Sequence, residues 1–235
     1  GNFQALEAVK VITGIGQVLT GKLLLFDGLS STFQKIRFAA NPENLEARHE
    51  LGKLYQFAQR PDDYLANLEE INRLQQSDDS LRTMNEMYAA SQQYDKQEPA
   101  LEALVGTENA RQPSHYRNLA RLQSSQQKLQ EAVVTYQDFW STHSQEFSFD
   151  DLEVMVTLQL ELDDVESAYQ SAQKFIEQQN PKDMKQVARL VNVLHYRGNS
   201  EVANRFLQPY EAELPQYPLL GVEKVYILLA TQQNE

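Results

Sequence analysis

Residues 16–23, GQVLTGKL, nearly spell a phosphate-binding loop. In such a loop, backbone N–H groups wrap the phosphates, a Lys reaches them, and a hydroxyl after the Lys holds Mg²⁺. Gly16, Gly21 and Lys22 fit, but Leu23 stands where the hydroxyl is needed. No alternation of strands and helices follows to supply a parallel sheet. A glycine-broken helix is the plainer reading, and a nucleotide-binding enzyme through Gly16–Lys22 is the alternative function. The four histidines, His49, His115, His143 and His195, form no His-Glu-x-x-His pair. No calcium loop and no Gly-x-Ser-x-Gly elbow occurs. Asp62-Asp63 and Glu69-Glu70 are adjacent in sequence, so on a helix they diverge rather than face each other as acid and base. The absence of cysteine removes disulfides, thiolate zinc sites and cysteine nucleophiles. The expectation is a non-catalytic chain with no cofactor and no metal.

The 235 residues suffice for one large domain or two small ones, and the net charge is −12. That charge disfavours duplex nucleic acid, whose counterions a basic surface must replace, and general adhesion to anionic membranes. The most apolar stretch, residues 14–29, carries Lys22 and Asp27 and is too short and interrupted to span a membrane. Gly1 in place of Met reads as a trimmed start from which a signal or anchor could have been removed.

The elements behind these residues are repetitive. Segments starting at Leu51, Met84, Leu119, Met155 and Leu190 align without gaps, at steps of 33, 35, 36 and 35 residues. That is a helical-hairpin period. Each segment holds two apolar stripes of helical spacing around a short polar turn. In the first, Leu51, Leu54, Tyr55 and Ala58 share one face, and Leu65, Leu68 and Ile71 share another. Pro61-Asp62-Asp63 and Gly198-Asn199-Ser200 are helix stop and start signals, and Asp163-Asp164 can cap a second helix. Pro42, Pro113 and Pro181 each precede a first helix. Pro99 and Pro209 should fray or kink second helices. Phe139 continues a core column of Ile71, Leu104, Phe175 and Tyr210, and Trp140 beside it is expected to pack in the core.

This pattern resembles the tetratricopeptide repeat family. Gly52 and Ala120 match its small residue late in the first helix, Ala132, Ala168 and Ala203 its alanine early in the second, and Pro215 its closing proline. Tyr64 and Gln97 depart at the alanine position, and Val156 and Val191 at the glycine. The resemblance implies an all-α fold, an α-α superhelix or solenoid of about five helical hairpins over residues 41–215. Residues 216–235 would be a C-terminal capping helix, centred on 219–230. Residues 1–40, where NFQALEAVKVI and SSTFQKIRFAA look helical, would be an N-terminal helical segment acting as a degenerate hairpin or cap.

In that family the first helices line the concave surface. The residues this places there are His49, Lys53, Arg82, Arg117, Arg121, Lys185, Arg189 and Asn192. They would form a basic inner groove on an acidic protein, suited to a peptide, protein or extended polymer, including an anionic one. Arg117, Arg121 and Val154 depart from the clamp that one subfamily uses for chaperone tails, so that ligand is not expected. The Gln-rich degenerate repeats are also similar to periplasmic repeat regions of bacterial exopolysaccharide export proteins of the Pel type. That likeness implies a periplasmic location, with the cytoplasm as alternative, and polysaccharide-export machinery as partner. A self-assembling array, the end helix docking on a neighbouring copy, is a further alternative.

Overall fold

The computed structural model describes residue 10, the backbone of residues 22–27 and 32–37, and residues 43–179 and 182–232. The chain divides into two compact units, residues 1–74 and 75–235.

In the first unit, strands β1 (Lys22–Asp27) and β2 (Thr32–Arg37) pair antiparallel, from Lys22↔Arg37 to Asp27↔Thr32. This corrects the helical expectation for SSTFQKIRFAA. β-Branched Thr32 and Ile36 and aromatic Phe33 favour extended backbone, and the facing strand satisfies the backbone polar groups. The loop glycines Gly16 and Gly21 lie outside the described residues, as does NFQALEAVKVI apart from Lys10, which is helical. Lys22 and Leu23 sit in a strand, whereas the lysine of a phosphate-binding loop opens a helix.

Helices α1 (Leu45–Phe57) and α2 (Pro61–Leu74) form a hairpin. Asn44 caps α1 by accepting the Ala47 N–H at 3.1 Å. A Cβ on Gly52 would lie 3.2 Å from Asn67 Nδ2 and 3.4 Å from the Tyr64 ring. Glycine on one helix thus makes room for the bulky Tyr64 on the other. Leu65, Leu68 and Ile71 are buried as expected. Leu51 and Leu54 are not: they are 37% and 63% exposed, and Gly52 is the buried residue of α1.

The second unit contains α3 (Asp78–Ala90), α4 (Tyr94–Gly106), α5 (Pro113–Ser125), α6 (Leu129–Thr142), α7 (Phe149–Glu161), α8 (Val165–Glu177), α9 (Met184–Val193), α10 (Ser200–Leu207) and α11 (Pro218–Gln232). They pack as sequential hairpins, each laid on the next. Ala120, Ala132, Ala168 and Ala203 are fully buried, as close helix approach requires. Phe139 is in the core, but on α8 the large fully buried side chain is Ile176, and Phe175 is half-buried.

The turns repeat a backbone motif. Gln59, Gln92, Gln127 and Asp163 have φ of 54°, 57°, 64° and 60°. The residue after each donates its N–H to a carbonyl five back: Arg60 to Tyr55, Gln93 to Tyr88, Lys128 to Gln123 and Asp164 to Gln159, all at 2.9 Å. These are Schellman stops without glycine. The fifth hairpin differs: α9 runs into a π-helical turn, Leu194–Gly198. Gly198 is small there for another reason, since a Cβ would meet Leu160 Cδ2 at 3.0 Å.

Side-chain caps start several helices. Ser148 and Asp151 form a reciprocal capping box on α7. Asp164 accepts the Ser167 N–H at 3.2 Å and Asn199 the Val202 N–H at 2.8 Å. Pro113 opens α5, whereas Pro42 and Pro181 lie outside the described residues. α4 continues past Pro99, while α10 gives way at Pro209 to a 3₁₀ turn, Gln208–Glu213.

Candidate interaction surface

Among the described residues, no group of three or more acidic or histidine side chains is placed to hold a metal ion, and no helix is long and apolar enough to cross a membrane. What unit 75–235 offers is a face built by three of its first helices, α5, α7 and α9, with α11 beside α9.

Two of the four predicted cations on these first helices, Arg117 and Arg189, are tied to carboxylates one hairpin away. Arg117 on α5 donates from Nε and an Nη to the two oxygens of Asp151 on α7, both at 2.8 Å, and to the Glu146 carbonyl at 2.8 Å. Its guanidinium also lies 4.9 Å from the Phe139 ring centroid. Burial pushes the Asp151 carboxyl up, but hydrogen bonds from Arg117 and Ser148 outweigh this and hold it below the ordinary carboxylate value. Arg189 on α9 bonds Glu153 and reaches Asp150 at 3.4 Å, both on α7. Asn192 donates to Glu223 of α11 at 2.9 Å.

So the face alternates in sign, with cations on α5 and α9 and carboxylates on α7 and α11. The junction between the fourth and fifth hairpins is the most regular. Arg189, Arg197 and Arg205, eight residues apart, pair with Glu153, Glu161 and Glu166. Sequence reading singled out Arg189 of the three and did not pair it with a carboxylate. Opposite charges one repeat apart were the available signal.

The remaining predicted residues fall as follows. Arg121 and Lys185 are exposed and, among the described residues, have no carboxylate partner. Between their helices, Val154 of α7 is 44% exposed. Arg82 on α3 is half-buried, lies 3.7 Å from Asp79, and has a buried Nε without a partner among the described residues. Together with burial, the larger cause, its charge holds the His115 imidazole below the ordinary histidine value. His49 and Lys53 belong to the first unit, both exposed, with Lys53 paired to Glu50 at 2.6 Å.

On the side of the second helices, a cleft of about 410 Å³ opens between α6 and α8, with Met155 and Gln159 of α7 among its lining residues. Trp140, expected in the core, is half-buried at this cleft. Phe147 stacks on it at 5.2 Å, and Lys174 Nζ lies 4.6 Å from its ring centroid. On α11, Leu219, Val222, Val225, Tyr226 and Leu229 are exposed.

No family model matches the chain. A curated relative from Drosophila yakuba, "Adenylyltransferase and sulfurtransferase MOCS3", is 54% identical over 44 residues, 19% of this chain and 10% of that protein. Its counterpart from Drosophila ananassae is likewise 54% identical over 44 residues. The chain thus spans about a tenth of the length of these curated relatives. Among solved structures, Naa15/Naa10 bound to HypK-THB is similar over 82% of this chain and 30% of that one, with TM-score 0.61 and 12% identity. A tetratricopeptide repeat protein from Parabacteroides merdae is similar over 81% of this chain and 74% of that one, with TM-score 0.46 and 14% identity. Residues 75–235 therefore form a tetratricopeptide-like solenoid of helical hairpins, and residues 45–74 by themselves form a hairpin of similar build.

Proposed function

We propose that the chain is a non-catalytic interaction scaffold whose first-helix face in unit 75–235 receives a protein partner. The observation that carries this reading is the contrast on that face between tied and open residues. Arg117 and Arg189 are fixed by hydrogen bonds to a neighbouring hairpin and Asn192 by one to α11, while Arg121, Val154 and Lys185 are open. A surface already ordered by its own ion pairs loses little side-chain freedom when a partner docks. An apolar contact flanked by two cations suits a partner segment with an apolar anchor and acidic neighbours. The basic groove of the sequence reading is thereby narrowed to Arg121 and Lys185.

A photo-crosslinking residue at position 154 of the full chain, used in the native cell, tests this. Discrete protein adducts are expected, and they should weaken in the Arg121→Glu/Lys185→Glu double variant. No adduct, or adducts indifferent to the charge reversal, would overturn the reading. The periplasmic, export-linked setting implied by the Pel-type resemblance is a separate proposal, tested by fractionating cells that express the tagged native gene.

A further inference from the structure

Inside each hairpin, polar side chains of the two helices can close on one another. In the third, Thr135 Oγ1 of α6 donates to Gln123 Oε1 of α5 at 2.8 Å, and both residues are buried. One repeat on, the equivalent pair is Gln159 of α7 and Ser171 of α8, again twelve residues apart. That pair is open. Gln159 is 1% exposed, and its Oε1 is buried without a hydrogen-bond partner among the described residues. The Ser171 side chain likewise makes no hydrogen bond among the described residues, and both residues line the cleft between α6 and α8.

The cleft also coincides with a gap in the bonding between successive second-helix segments. Lys128, at the start of α6, pairs with Glu98 of α4, and Arg205 of α10 with Glu166 of α8. Among the described residues no ion pair joins α6 to α8.

A buried acceptor without a donor costs free energy unless something supplies the donor. We infer that the cleft is a binding site for an extended peptide segment carrying a carboxylate. Its backbone N–H would donate to Gln159 Oε1 once the carboxamide turns toward the cleft, with the Ser171 hydroxyl beside it. A carboxamide presents an acceptor and donors side by side, the complement of a peptide group. No carboxylate lines the cleft, and Lys174 is a lining cation with no carboxylate partner among the described residues. It is therefore placed to receive an acidic side chain or a chain end. A sugar fits less well, because Phe147 and Lys174 already occupy the indole of Trp140. This site lies apart from the first-helix face and stands independently of the function proposed for that face.

The test titrates the ¹⁵N-labelled full chain with a blocked pentapeptide, acetyl-Gly-Ala-Glu-Ala-Gly-amide. Its Gln analogue and maltopentaose serve as comparison arms. The Gln159 side-chain amide signals, identified by their loss in Gln159→Met, are followed. The Glu peptide should shift them, with the Gln analogue binding about tenfold more weakly. Ser171→Thr, which restores the closure seen at Thr135, should abolish the response while raising rather than lowering the circular dichroism melting temperature. Lys174→Glu should weaken the Glu peptide and spare the Gln analogue. Arg121→Glu/Lys185→Glu should change nothing, which separates this site from the first-helix face. Signals unmoved at about 10 mM peptide would leave only a buried water at Gln159 and overturn the proposal. So would a response to maltopentaose alone, or unchanged binding in Ser171→Thr.

Discussion

Arg117 holds Asp151 through two parallel hydrogen bonds of 2.8 Å, joining the third hairpin to the fourth across 34 residues. The same carboxylate closes the capping box of α7 by accepting from the Ser148 N–H at 2.9 Å and hydroxyl at 2.7 Å. One arginine thus holds both a junction and a helix start. Arg117→Ala should destabilise unit 75–235 by about 2 kcal/mol, because it strands a buried carboxylate. Arg117→Lys should recover part of this, since the charge remains but the fork does not. Urea melts of the variants check both.

The acid limb follows from the same pair. Asp151 has its carboxyl held down in the folded state, so its contribution is present above the unfolded value and lost as pH falls through the folded one. In Arg117→Ala the folded value rises while the unfolded one does not, so this acid-linked loss should shrink. Melting temperature against pH in the acid range reads this shift.

His115 gives the opposite proton bookkeeping. Burial and then the Arg82 charge lower the proton affinity of its imidazole in the folded state. The unfolded chain takes up a proton as pH falls through about 6.5 and the folded chain only at lower pH, so stability declines below that point. His115→Phe should flatten the slope of melting temperature between about pH 6.5 and 5.

Gln127 sits at φ 64° in the turn after α5. A non-glycine side chain strains this backbone region, and glycine relieves it while gaining freedom in the unfolded chain. Gln127→Gly should stabilise by a net of about 0.5–1 kcal/mol. A lower denaturation midpoint would contradict this.

Gly198 is not such a position, and Gly198→Ala tests the difference. Its new Cβ would press on Leu160 at 3.0 Å, so the variant should lose about 1 kcal/mol by overpacking. Combined with Leu160→Val, the two costs should add to less than their sum.

Much of the fold was legible because a hairpin period constrains size as well as hydrophobicity. Ala132, Ala168 and Ala203 recur where two helices touch, and all three are fully buried. The β-hairpin was missed because the LLLF run suits helix or strand until its pairing partner is known. The arginines were assigned to the right helices but credited to a ligand. Periodicity says which way a side chain points, not that Asp151 or Glu153 waits one repeat away. Gln159 and Ser171 were passed over because each is unremarkable alone; only comparison with Gln123 and Thr135 exposes the unmade bond.

The cross-hairpin pairs have a kinetic corollary. Lys128 to Glu98 bridges 30 residues and Arg205 to Glu166 bridges 39. Closing such modest loops costs little chain entropy, so assembly can start at any junction and spread to its neighbours. Opening should run the same way, with the outermost turns of the unit exchanging their amide protons with solvent while those around Phe139 stay locked.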